Sequence, residues 1–200
     1  MNVSPRVGHS ARSTKETQLD VTVTLDGSGR VLADTGIGFL DHMLDQLGRH
    51  GGFDLDIKAV GDLAVDTHHT VEDTGIALGK AFAEALGDKA GVRRFASVRV
   101  PLDEALTDVV LDLSGRPYLH YEIECPQGNT IWGSPPFDAQ LVEEFFRAFV
   151  TAAGITMHLT LVRGRNTHHI VEATFKGVAR ALRDAVSVEG SAVPSTKGVL

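Results

Sequence analysis

The sequence predicts an α+β fold: a duplicated sandwich of two halves, each a small, mostly antiparallel sheet with its helices packed on one side. Three observations carry this expectation. The stretch His68-His69-Thr70-Val71-Glu72 returns as His168-His169-Ile170-Val171-Glu172, with Thr74 answered by Thr174 and Ala81 by Ala181; self-similarity at a fixed offset marks an internal repeat. Ahead of each copy stand segments that alternate apolar and polar residues, the signature of half-buried strands, and after each copy runs a helical periodicity. Strands followed by helices in this arrangement imply layers of antiparallel sheet and helix, not a βαβ succession. The expected divisions are a first half-repeat (1–92), a second (93–192) and a C-terminal tail (193–200), in a single compact unit.

Residues 1–10 lack the apolar stretch of a signal peptide and are expected to be a frayed end. Residues 19–25 (Leu-Asp-Val-Thr-Val-Thr-Leu) alternate and predict a strand with one buried face. Asp26-Gly27-Ser28-Gly29 turns the chain and Arg30 begins a return strand. Phe39, Leu40, Met43, Leu44 and Leu47 fall at helical spacing, and His42 lies on that helix. Residues 53–60 alternate again; Leu63-Ala64-Val65, a short further strand, leads into the first histidine pair. The helix from about Val71 closes at Gly87.

The second half repeats the order. Residues 105–113 and 117–123 are expected to form a hairpin about Ser114-Gly115-Arg116, 140–153 a helix ended by Gly154, and 155–162 a strand. A last helix follows the second histidine pair to about Val186. Leu-Asp-Gly-Ser-Gly (25–29) and Leu-Asp-Leu-Ser-Gly (111–115) are a fainter echo of the duplication. Residues 125–138 show little periodicity and read as a surface loop. The composition of residues 194–200 suits disorder as well as order.

Composition narrows the function. Two hundred residues suffice for a core without staples, and 42% hydrophobic with 22% charged residues suits a soluble globular chain. A formal net charge of −7 argues against a nucleic-acid surface. The single cysteine, Cys125, cannot form an internal disulfide, which fits a reducing cytoplasm. No apolar run approaches the roughly 18 residues of a membrane span.

Residues four apart on a helix share a face, so His68 with Glu72, and His168 with Glu172, can grip one ion. Adjacent residues are turned by about 100°, which sends His69 and His169 towards different partners. The economical arrangement is two metals between two related helices. One is held by His68, Glu72 and His169, the other by His168, Glu172 and His69. A lone histidine pair at a helix start is ordinarily a surface feature; a repeated pair with glutamate in register is not. The His-Glu-x-x-His order of zinc proteases is absent.

Six stretches together resemble one family, the imidazoleglycerol-phosphate dehydratases of histidine biosynthesis. They are Thr14-Lys15-Glu16-Thr17, Phe39-Leu40-Asp41-His42-Met43-Leu44, Thr67-His68-His69-Thr70-Val71-Glu72-Asp73, Asp112-Leu113-Ser114-Gly115-Arg116-Pro117-Tyr118, His168-His169-Ile170-Val171-Glu172-Ala173 and Pro194-Ser195-Thr196-Lys197-Gly198. The resemblance implies a duplicated α+β fold, a site with two Mn2+ ions, and a large octahedral homo-oligomer built from trimers. It adds His42 to the metal ligands. In the second half it places a histidine where this chain reads Glu144, whose carboxylate also suits manganese.

The resemblance also implies a substrate set. Arg94, Arg116 and Lys197 match phosphate- and substrate-contacting positions, since a phosphate needs cationic donors of defined geometry. Ser195 and Thr196 accompany Lys197 in the tail. Arg49 and Lys176 lie in stretches the family uses around substrate, and Glu16 becomes a substrate contact supplied across a subunit boundary. The ligand residues His42, His68, His69, Glu72, His168 and His169 border the same substrate. The implied reaction removes water from imidazole glycerol phosphate and gives imidazole acetol phosphate. A metal on the imidazole nitrogen eases loss of the ring proton. The hypothesis is that the resulting imidazolate expels the side-chain hydroxyl, and that Glu172 or Glu16 serves as the base at carbon. Competing readings are a two-metal phosphoester hydrolase and a metal-stabilised storage scaffold.

Overall fold

The computed structural model describes residues 4–198 and Leu200. The first half contains β1 (Val7–Ser13), β2 (Thr17–Thr24), β3 (Val31–Asp34), α1 (Gly38–Gly51), β4 (Asp54–Gly61) and α2 (His68–Leu86). The second contains β5 (Phe95–Leu102), β6 (Ala105–Asp112), β7 (Tyr118–Glu122), the short β8 (Thr130–Ile131) and β9 (Phe137–Asp138), α3 (Leu141–Ala153), β10 (Thr156–Arg163) and α4 (Thr167–Ala185). The two main sheets have the orders β1-β2-β4-β3 and β5-β6-β10-β7. Each therefore reads first, second, fourth, third strand of its half, and the duplication of sequence is a duplication of topology.

Helices cover one face of each sheet. α2 lies on β1 and β2, α1 on β3, and α4 on β5 and β6, while α3 contacts β7. The halves meet helix to helix, α1 against α4 and α2 against α3. The core fills the space between sheets and helices: Val21, Val23 and Ile57 from the first sheet, Val109, Leu111 and Met157 from the second, and Leu44, Phe145, Phe146 and Phe175 from the helices. Burying each such side chain contributes about 1.5–3 kcal/mol. Gly75 and Gly79 let α2 approach α3 closely; a Cβ on either would stand 2.6 Å from a backbone oxygen of α3.

Several expectations are overturned. Residues 7–10 are not frayed but belong to β1, antiparallel to β2. The inner face of β1 carries Gly8 and Ser10, buried against the sheet's helix, so no apolar alternation announces it. β5 was not expected either: Pro101 interrupts its sequence pattern, but β5 is an edge strand, where proline is tolerated. The return strand after Arg30 is β3, yet it makes no hairpin with β2, whose two sides are taken by β1 and β4; it lies parallel to β4. The hairpin expected about Ser114-Gly115-Arg116 fails likewise. β6 lies between β5 and β10, and β7 runs parallel to β10 at the far edge. Leu63-Ala64-Val65 is a turn closed by Val65 N–H to Asp62 O at 2.7 Å. The loop at 125–138 contains the β8–β9 hairpin and a buried Phe137.

Candidate metal centre

Both histidine pairs open a helix. The Asn166 side chain accepts hydrogen bonds from the backbone N–H groups of His168 (2.9 Å) and His169 (3.3 Å), which fixes the start of α4 at the pair. Asp66 does the same for His68, at 2.8 Å. The first turn of each helix thus presents two imidazoles before the buried, helix-packed segment begins.

Where α1 crosses α4, three side chains converge. Nε2 of His42 lies 3.2 Å, and Nε2 of His168 2.9 Å, from the same oxygen of Glu172. The three donor atoms fall within 4.8 Å of one another. Lys176, one turn further along α4, sets its ammonium 2.6 Å from the other Glu172 oxygen. Burial pushes the Glu172 carboxyl upward, but Lys176, His42 and His168 outweigh it and hold the pKa down to about 2. Phe39 and Phe137 form an apolar wall: the Phe39 ring is 5.2 Å from that of His168 and 5.0 Å from that of Phe137.

The α2–α3 contact is the counterpart. His68 Nε2 lies 3.9 Å from Glu72, and Glu72 and Glu144 line one groove with Ile76, Lys80 and Arg147. Glu144 on α3 thus stands across this groove from Glu72 on α2. Its oxygen lies 3.9 Å from Arg147 Nε. Among the described residues only the His42–His168–Glu172 group draws three ligand atoms together.

The two trios expected from helical spacing are therefore not assembled within one chain. The reason is packing: α4 meets α1 and α2 meets α3, and His69 and His169 turn away from these contacts. Nδ1 of His69 is 3.1 Å from Asp62, leaving Nε2 4.0 Å from Glu16. Nδ1 of His169 is 2.8 Å from Glu104, leaving Nε2 3.9 Å from Asp103. The hydrogen bond to Asp62 raises the His69 pKa, and His169 foremost, then the Asn166 N–H, lower that of Glu104 to about 2. A carboxylate on one ring nitrogen is the usual support for a histidine that binds metal through the other. Asp62 and Glu104 were missed by the sequence reasoning; Asp62 sat in a recognised turn, but Glu104 lies 65 residues from His169.

The substrate candidates fall in three places. Glu16 is exposed beside His69. Arg49 is exposed and paired with Asp45 at 2.8 Å on its own helix, and Lys176 is engaged with Glu172. Arg94, Arg116 and the tail lie together at the far end of β6. Arg94 grips both oxygens of Asp112, at 2.6 and 3.0 Å, and donates to Pro194 O at 2.7 Å. Arg116 is exposed, and Ser195 caps the turn containing Thr196 through the Lys197 N–H, at 3.2 Å.

The family model described as imidazoleglycerol-phosphate dehydratase matches residues 35–182. The chain belongs to the imidazoleglycerol-phosphate dehydratase family. It is 56% identical over 192 residues to the dehydratase of Roseobacter denitrificans, covering 94% of this chain and 96% of that one. With that of Acidithiobacillus ferrooxidans it shares 54% over 201 residues, 99% of each chain. The crystal structure of the Staphylococcus aureus dehydratase matches with a TM-score of 0.80 at 40% identity, over 91% of this chain and 99% of that chain. The Pyrococcus furiosus enzyme, solved in complex with (S)-C348, matches with a TM-score of 0.81 at 38% identity, over 95% and 99%. Membership disfavours the phosphoester hydrolase, and no described helix of this dehydratase-family chain is long and apolar enough to cross a membrane.

Proposed function

We propose that this chain dehydrates imidazole glycerol phosphate to imidazole acetol phosphate in histidine biosynthesis, using two Mn2+ ions per active site. The observation that carries the metal part is the convergence of His42, His168 and Glu172 where α1 meets α4. Two imidazoles and a carboxylate, with further carboxylates behind His69 and His169, suit a divalent ion that accepts both nitrogen and oxygen. His68, Glu72 and Glu144 would hold the second ion. Bound manganese would supply a Lewis acid for the imidazole ring, easing loss of its ring proton.

His69 and His169 stand apart from both groups with Nε2 directed outward. A second copy of the chain can bring His169 to His68 and Glu72, and His69 to His168 and Glu172. This supports self-association; the octahedral particle built from trimers, and the cytoplasmic location, belong to the proposed reading through the family resemblance. The protein groups then divide the work. Glu172 is buried and engaged by Lys176 and two histidines, which suits holding a metal. Glu16 is exposed and, among the described residues, held by no ion pair closer than 4.0 Å, so it is the carboxylate available to take the carbon-bound proton. Arg116, Lys197, Ser195 and Thr196 would hold the phosphate.

The test is a manganese-dependent assay of the purified chain. A ketone product with phosphate retained supports dehydration; release of inorganic phosphate, or metal binding without turnover, would refute it. Glu16→Gln should abolish solvent-deuterium exchange at the reacting carbon while metal content is kept. Chelation should shift sedimentation from a large particle towards trimers or smaller species; unchanged sedimentation after verified metal removal would refute the assembly.

A further inference from the structure

One buried carboxylate has no part in the candidate metal groups. Asp73 follows Glu72 on α2 and is only 6% exposed. Adjacent helical positions are turned by about 100°. Glu72 therefore faces α3 while Asp73 faces the first sheet, on which α2 lies. One Asp73 oxygen accepts from Arg12 Nε of β1 at 2.9 Å. The other accepts a short hydrogen bond from Oγ1 of Thr17, the buried first residue of β2.

The Thr17 hydroxyl begins a line of hydrogen bonds that ends on Glu16. An ionised carboxylate only accepts, so the Thr17 proton goes to Asp73 and the Thr17 oxygen is left to accept. Thr14 Oγ1 lies 3.2 Å away and donates to it. The Thr14 oxygen in turn accepts the backbone N–H groups of Glu16, at 3.1 Å, and of Thr17, at 3.0 Å. Thr14 N–H closes the turn on Thr17 O at 2.8 Å. Each bond polarises the next, and the line runs one way, from the Glu16 amide to the Asp73 charge. The Glu16 side chain has no such support. It is 54% exposed, and its ion-pair partner among the described residues, His69 Nε2, stands 4.0 Å away. The turn also borders a cleft of about 230 Å³ that it shares with Val60, Gly61 and Asp62. Backbone position is what directs this carboxylate, and Asp73 is what holds the backbone.

His69 belongs to the same frame. Thr17 pairs with Gly61 across β2 and β4, and Asp62, the next residue, is hydrogen-bonded to His69 Nδ1 at 3.1 Å. A Cβ on Gly61 would stand 1.9 Å from Thr70 Oγ1, so this end of β4 is pressed on α2 without slack. Glu16 and His69 are thus fixed to one block, the first through Asp73 and the second through Asp62. We infer that Asp73 is a positioning residue for the reaction: through Thr17 and Thr14 it sets Glu16 against His69, and so sets the base against the metal that His69 would bind. The inference rests on Glu16 being the base, as proposed above.

The experiment uses full-length, manganese-loaded protein: the parent, Asp73→Ala, Thr17→Val, Thr17→Ser, Arg12→Gln and Glu16→Gln. It reads kcat and KM for imidazole glycerol phosphate, and amide hydrogen exchange of residues 13–17 by mass spectrometry. Melting temperature and manganese content control for folding and metal. Asp73→Ala and Thr17→Val should lower kcat by about tenfold or more with KM little changed, because a small misplacement of a reacting group is that costly. Both should speed amide exchange in residues 13–17. Thr17→Ser restores the hydroxyl and should return both readouts to near the parent's. Arg12→Gln should lower the melting temperature without the loss of kcat. Should Asp73→Ala fail to fold, Thr17→Val carries the test, since it keeps the Asp73–Arg12 pair. A folded Thr17→Val with the parent's kcat overturns the inference. So does Arg12→Gln that loses as much kcat as Thr17→Val, for Asp73 would then act through stability alone. A Glu16→Gln chain that keeps full solvent-deuterium exchange at the reacting carbon sinks the base assignment instead, and amide exchange in Thr17→Val still decides whether the line from Asp73 holds Glu16.

Discussion

Arg94 and Asp112 form a two-pronged ion pair, Nε to one carboxylate oxygen at 2.6 Å and an Nη to the other at 3.0 Å, at the point where the C-terminal segment meets β6. Both side chains are less than a fifth exposed, at 14% and 17%. Removing one partner leaves the other charge unmatched. Arg94→Met should therefore cost about 2–4 kcal/mol in urea unfolding, and also raise KM through loss of the Pro194 contact. Arg94→Lys should recover only part of the stability, since a point charge cannot reproduce the fork. Equal stability of parent and Arg94→Met would show the pair to be idle.

Glu144 tests the second half of the metal site. If its carboxylate binds metal, Glu144→Ala should hold about one tightly bound ion per chain after dialysis and lose much of its activity. Glu144→His should bind zinc more tightly than the parent does, because imidazole suits zinc better than a hard cation. Two tightly held ions in Glu144→Ala would remove this residue from the ligand set.

Asp54 predicts a pH dependence away from the site. One of its oxygens accepts from Arg30 N–H (2.9 Å), Ser28 N–H (2.8 Å) and Ser28 Oγ (3.1 Å). The Arg30 and Ser28 backbone bonds, in that order, hold its pKa below the usual 3.8. The folded value is depressed, so the stability it contributes is full above the unfolded pKa and is lost as pH falls through the folded one. Asp54→Ala should cost roughly 2 kcal/mol at neutral pH. The gap from the parent should stay level down to about pH 4 and narrow below it. A gap that widens on acidification would contradict this assignment.

Truncation after Ala192 should leave the fold intact and raise KM strongly. Among the described residues, those removed contribute no buried side chain of the core. Loss of a charge-assisted phosphate contact from Lys197 corresponds to roughly 1.5–3 kcal/mol. Circular dichroism and substrate affinity on the two chains decide it; equal affinities would remove the tail from the site.

The strands that were legible in sequence are those whose inner face is apolar: Leu19, Val21 and Val23 in β2, Leu55 and Ile57 in β4. β1 escaped because Gly8 and Ser10 fill the same space with almost no side chain. Partners were less legible than strands. Nothing local tells β3 or β7 to cross over and pair in parallel, since that choice is made by which strand edges remain open. The site behaved the same way. Helical spacing identified His68 with Glu72 and His168 with Glu172 as sharing a face, but it does not say which helix that face will meet. The family resemblance supplied His42, and packing alone placed it against Glu172.

The crossed pairing of helices, α1 with α4 and α2 with α3, has a bearing on ancestry. Each candidate metal group takes one helix from either half, so a half on its own holds the parts of one group and completes none. Two copies of such a half, facing each other across a twofold axis, would complete two identical groups. The chain has the form of a homodimer whose subunits became joined end to end. On this reading the contrast between His42 and Glu144 is a broken symmetry: two positions that began as one residue and now differ in charge.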